Sequence, residues 1–137
     1  MGSEQKIVTE AQAKWIAAVR SLNPDAVTAL YDPVTGTLLG TVDTQATGTR
    51  VGAKAIHRYF EHFLDRQAVE PHFPPIGQQN VQAIGPCVAA SGYYDFNLTS
   101  RDGQSQVAHA KFTFIWGQKG TILLHNSGFT PEGITKK

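Results

Sequence analysis

From Cys87 to Trp116 apolar residues recur at every second position through two successive runs, and this pattern constrains the fold more than any other part of the 137-residue chain. Val88, Ala90, Gly92, Tyr94, Phe96 and Leu98 fall on one face of the first run, opposite Cys87, Ala89, Ser91, Tyr93, Asp95 and Asn97. A period of two is the signature of a β-strand, because successive side chains leave opposite faces of the backbone. Ser100-Arg101-Asp102-Gly103 supplies a hairpin turn, and the return run sets Ala108, Ala110, Phe112, Phe114 and Trp116 against Val107, His109, Lys111, Thr113 and Ile115. Gln118-Lys119-Gly120 turns the chain again into Thr121–Phe129, where Ile122-Leu123-Leu124 is apolar on both faces. Two hairpins in succession predict a meander of three long antiparallel strands. A three-residue loop at Arg101–Gly103 then places Asp95 opposite His109 and Tyr93 opposite Lys111.

The rest of the chain must cover this sheet. Ile7, Ala11, Trp15, Ala18 and Leu22 recur at steps of three and four, which predicts a helix over 3–21. Asn23-Pro24 ends it and opens a short helix over 24–31, since proline lacks the amide a helix interior needs but fits a first turn. A Thr- and Gly-rich segment follows to Thr49, with Thr37-Leu38-Leu39 its best strand. Ile56, Tyr59, Phe60, Phe63 and Leu64 predict a second long helix within 51–67, buried on its aromatic side. Pro71, Pro74 and Pro75 are read as excluding regular structure between that helix and the strands. The chain reads as one domain, with Met1-Gly2-Ser3 a cloning remnant and 130–137 a loose tail.

Composition narrows the partners. Twelve basic and eleven acidic residues give a formal charge of +1 without a basic block, so nucleic acid is not expected. No apolar run approaches a membrane span, and no signal pattern opens the chain, so a cytoplasmic protein is expected. The single cysteine, Cys87, fits that setting as a thiol in an apolar run.

A sheet with one face on helices and one in water should alternate cleanly. Here Thr113 and Ile115, beside Leu123 or Ile122, make the second face apolar as well, while the two long helices can cover only one side. That second face calls for a partner, and a large patch left open marks an interface.

Helix, short helix, strands, long helix and curled meander together resemble the NTF2-like cone, an α+β fold with long helices packed on the concave face of a curled antiparallel sheet. Ile56-His57-Arg58-Tyr59-Phe60-Glu61-His62-Phe63-Leu64 resembles the long helix of the association (hub) domain of calcium/calmodulin-dependent protein kinase II. Ser91-Gly92-Tyr93-Tyr94-Asp95-Phe96, Ala110-Lys111-Phe112-Thr113-Phe114 and His125-Asn126-Ser127-Gly128 resemble its strands, or those of a stand-alone hub-like homologue. The resemblance implies self-assembly into dimers that close into stacked rings, with a tethered kinase domain in the natural protein. No Gly-rich nucleotide loop or kinase catalytic loop occurs in the chain itself. The family's hub pocket is lined by arginines: Arg66 matches one, Lys111 stands where a second would be, and the position near Gly92 carries none. A pocket of Arg66, Lys111, Asp95, Tyr93 and His109, taking a small carboxylate, is the corresponding expectation.

The same residues allow a second reading. Asp95, His109, Tyr93 and Lys111 form either a binding or catalytic cluster, as in isomerases and dehydratases of this fold, or a satisfied polar network under an interface. His125 can act as a base or pair with a strand neighbour. His57 and His62 stand about 140° apart around a helix and cannot clasp one metal ion. The sequence therefore predicts a non-catalytic assembly domain without metal or cofactor, with a small-molecule enzyme of isomerase or dehydratase type as the alternative.

Overall fold

The computed structural model describes residues 2–42 and 49–137. Met1 of the expected cloning remnant and residues 43–48 of the Thr- and Gly-rich segment lie outside the described residues. Helix α1 runs over Ser3–Arg20 and α2 over Pro24–Thr28, where the Asn23 side chain accepts the Asp25 amide and caps the turn. Strands β1 (Thr37–Leu39) and β2 (Thr49–Val51) precede helix α3 (Ala53–Phe63). Strands β3 (Ala68–His72) and β4 (Asn80–Ile84) follow, and then β5 (Cys87–Thr99), β6 (Ser105–Trp116) and β7 (Ile122–Lys136).

All seven strands join one sheet in the order β2-β1-β7-β6-β5-β3, with β4 on the first half of β5 beyond the reach of β3. The predicted meander and register are present: Asp95 faces His109 and Tyr93 faces Lys111. Gly103 closes the first hairpin at φ 88°, a conformation a side chain resists. Strand β1 lies parallel to β7, Thr37 beside Leu124 and Leu39 beside Asn126, which brings the early part of the chain against its last strand.

Both long helices pack on the concave face. Trp15 meets the rings of Tyr94, Phe96 and Phe114, and Phe63 of α3 meets Phe96 edge-on. Such ring pairs add roughly 0.5–1.5 kcal/mol each beyond the area they bury. On α1 the buried residues are Val8, Gln12, Trp15 and Val19, so the helix is rotated relative to the predicted stripe and Ile7 is left 46% exposed. Gln12 is buried because it forms a reciprocal amide pair with Gln79, at 2.7 and 3.1 Å, tying α1 to the segment before β4.

Four differences from the sequence reading have physical causes. Pro71 lies inside β3, tolerated because β3 is an edge strand with one unpaired side. Val51 belongs to β2, so α3 fills only the middle of the 51–67 span. Residues 130–136 are not a loose tail: β7 continues through them, and Ile134–Lys136 pair with Ala108–Gln106 beyond an irregularity that contains Pro131. At the other end of that pairing, one extra residue on β7 lets Leu124 rather than Leu123 face Ile115. This bulge turns Ile122 inward opposite Trp116, 1% exposed, so Ile122 is core and not the surface residue expected.

Candidate functional site

Inside the cone a line of polar groups crosses the aromatic core. Trp15, Tyr31, Tyr94, His125 and Ser127 are buried, and Thr41 is half-buried. The Trp15 indole donates to the Tyr31 hydroxyl at 3.2 Å, and Tyr31 meets His125 Nδ1 at 2.7 Å. On the other side of the ring, Tyr94 meets His125 Nε2 at 3.0 Å and donates to Ser127 Oγ at 2.6 Å, and Ser127 in turn meets Thr41 Oγ1.

Indole nitrogen can only donate, which gives the line a direction. The arrangement that satisfies every donor runs from Trp15 N–H to Tyr31, from Tyr31 O–H to Nδ1, from Nε2–H to Tyr94, and from Tyr94 O–H to Ser127. His125 is then a neutral imidazole protonated at Nε2. Burial agrees with this, lowering its pKa from 6.5 to about 3, because an imidazolium there would lose its hydration. Burial likewise raises the phenols of Tyr31 and Tyr94, so both remain protonated donors. The Phe114 ring stacks on His125 with centroids 3.9 Å apart. Only about 10 Å³ of empty space remains at this site, far below a ligand cavity.

The predicted site residues lie elsewhere. Tyr93, Asp95, His109 and Lys111 occupy the outer face of the sheet, opposite the helices. His109 Nδ1 meets Asp95 at 2.9 Å and its Nε2 meets Thr135 at 3.0 Å, a network with both ring nitrogens engaged. Tyr93 and Lys111 border an open depression of about 510 Å³ with Asn126 and Asn80. Arg66 does not join them: it donates to the Phe63 carbonyl and lies 5.4 Å from the Phe63 ring at the end of α3. Of the predicted interface residues, Thr113 and Ile115 are half-buried on the outer face, and Leu123 is half-buried on the bulge beside Gly117. Among the described residues no group of three or more His, Cys, Asp or Glu could hold a metal ion.

Sequence reading singled out His125 but none of its partners. Tyr94 carried the one available signal, a hydroxyl on the otherwise apolar face of a core strand, which needs a partner once buried.

A curled, unclosed, antiparallel-rich sheet with helices on its concave face defines an NTF2-like α+β protein. Residues 4–127 match the calcium/calmodulin dependent protein kinase II association domain, and the chain belongs to that family. A Xanthomonas campestris protein assigned to the same association domain superposes with a TM-score of 0.78 at 29% identity, over 91% of this chain and 86% of that one. The Mycobacterium Δ5-3-ketosteroid isomerase superposes at 0.75 with 15% identity, over 96% and 98% of the two chains. The epoxide hydrolase/cyclase-like enzyme SalBIII, which takes part in pyran ring formation in salinomycin, superposes at 0.73 with 19% identity over the whole of both chains. No curated protein sequence is significantly similar to the chain. The expectation of a non-catalytic domain is corrected by these neighbours, because the fold on which it rested also houses enzymes.

Proposed function

We propose that this domain assembles with copies of itself through the outer face of its sheet, as dimers that close into stacked rings. One observation carries the reading: α1 and α3 both lie on the concave face, and no element among the described residues covers the other. Ile115 and Leu124 sit side by side there, with Thr113 next to them and Ile84, Val51 and Tyr93 half or more exposed. Burying each Leu or Ile contributes about 1.5–3 kcal/mol, so a few such residues from each copy suffice for stable pairing. Membership of the association-domain family supports self-association in general. Ring closure, a tethered kinase domain, a small carboxylate at Lys111 and a cytoplasmic setting are further elements of the same proposal. Among the described residues no helix is long and apolar enough to cross a membrane.

Light scattering on the purified chain tests it. The expected mass is many protomers at micromolar concentration, falling in an Ile115→Lys, Leu124→Asp double variant that keeps its circular dichroism. A parent of monomer mass, or a double variant of parental mass, refutes the proposal.

A catalytic reading is favoured by one specific observation, the convergence of Tyr31 and Tyr94 on a neutral imidazole inside the cone. Buried donors of this kind stabilise charge that develops on a carbonyl oxygen, once a substrate displaces the side chains that now fill the space. Isomerisation of a Δ5-3-ketosteroid by the parent, lost in Tyr94→Phe, would establish it.

A further inference from the structure

A crevice of about 370 Å³ opens between the first half of α1 and the β6–β7 turn, distinct from both the buried polar line and the outer sheet face. Leu30, Val88, Trp116 and Ile122 form its apolar lining, and Ile7 and Ala11 form the wall on α1. Two features keep it open. The rotation of α1 buries Val8 and Trp15 and leaves Ile7 on the flank, 46% exposed. The β7 bulge carries Leu123 against Gly117, where an added Cβ would meet the Leu123 side chain at 3.1 Å, so this leucine does not fill the space beside Trp116.

The lining is backed by stacked rings. Trp116 stacks on Phe114 at an interplanar angle of 8°, and Phe114 stacks on His125 at 14°, forming a column of three nearly parallel rings that ends at the crevice. A preformed apolar surface of this kind binds flat molecules without first ordering itself. At 370 Å³ it falls within the usual range of small-molecule sites, roughly 300–1,000 Å³.

Polarity at the rim selects among such molecules. Lys14 and Lys119 border the crevice, are exposed, and make no ion pair among the described residues. Asp32 lies near Lys119 and keeps its charge, but its carboxylate is held by the Thr35 and Val34 amides and forms no ion pair with the lysine. Among the described lining residues Glu10 is the one acid, against the two lysines.

We infer that this crevice is a binding site for a small amphipathic molecule, with a flat apolar body against Trp116 and one anionic head group held by Lys14 and Lys119. Neither assembly nor catalysis is required for it. The probes are anilinonaphthalene sulfonate, which has both parts, and neutral N-phenylnaphthylamine, which has only the apolar one. Fluorescence titration of the full chain is expected to show one saturable sulfonate site per protomer. Lys14→Glu combined with Lys119→Glu should weaken the sulfonate by about tenfold or more and leave the neutral probe within about twofold. Ala11→Phe, which fills the crevice from α1, should remove both. Both lysines are at the surface, so their comparison stands whatever Ala11→Phe does to stability. Non-saturable binding, or sulfonate affinity unchanged by the lysine pair, overturns the assignment.

Discussion

Acid should destabilise this protein through one residue. His125 has a pKa of about 3 in the folded chain and 6.5 when free of the fold, so between those values the unfolded chain carries a proton that the native one lacks. Stability contributed by the neutral ring is complete above pH 6.5 and is lost as pH falls, until both states are protonated below pH 3. Each pH unit inside the window is worth about 1.4 kcal/mol, so moving from pH 7.5 to 5 costs about 2 kcal/mol from this group. His125→Gln removes the titration while keeping one donor and one acceptor for Tyr31 and Tyr94. It should lower stability at pH 7.5 by about 1–3 kcal/mol, through lost stacking on Phe114 and poorer hydrogen bonds. The decisive quantity is the difference between the parent and His125→Gln stability-against-pH curves. Urea unfolding at fixed protomer concentration should show the parent losing about 2 kcal/mol more than the variant over that range. Parallel curves would refute a buried, neutral His125.

Three further outcomes test the packing. Gly40→Ala should destabilise by about 1–3 kcal/mol, read by thermal melting, because a Cβ there overlaps the Tyr59 ring. Gln12→Leu should cost about 1–3 kcal/mol in urea unfolding by leaving the Gln79 amide with one lost partner in a half-buried place, and Gln12→Leu with Gln79→Leu should recover part of the loss. Asn23→Ala, which removes the cap of α2, should cost about 1 kcal/mol by the same measurement.

What could be read from the sequence was local or strictly periodic. The alternation of β5 and β6 gave the hairpin and its register residue by residue, since one wrong step would have turned Phe112 and Phe114 to solvent. The aromatic face of α3 was equally plain. One residue broke the pattern between β6 and β7: the extra position at Leu123 changes which neighbours meet, and no propensity announces it. Pro71 hid β3, because a lone proline marks an edge strand only when the strand order is known. The polar line was hidden by distance along the chain. Trp15, Tyr31, Tyr94 and His125 come from a helix, the segment after α2 and two strands, and each alone reads as an ordinary core residue. Lys111 and Arg66 were grouped by resemblance, whereas the alternation already placed Lys111 opposite to the helix-facing residues.

The parallel contact of β1 with β7 also sets an order on how the molecule comes into being. A ribosome releases Trp15, Tyr31 and the whole of β1 long before His125 and Leu124 exist to receive them. During that interval α1 and α3 have no finished sheet to cover, and the rings of Trp15, Tyr59 and Phe60 remain available to other chains. The meander can form on its own local hairpins, but joining it to β1 requires bringing Thr37 to Leu124 across most of the chain, the slow kind of step. Ribosome-stalled chains ending before Ile122 should therefore be cut by protease within α1, and chains extending past Lys136 and clear of the exit tunnel should resist it.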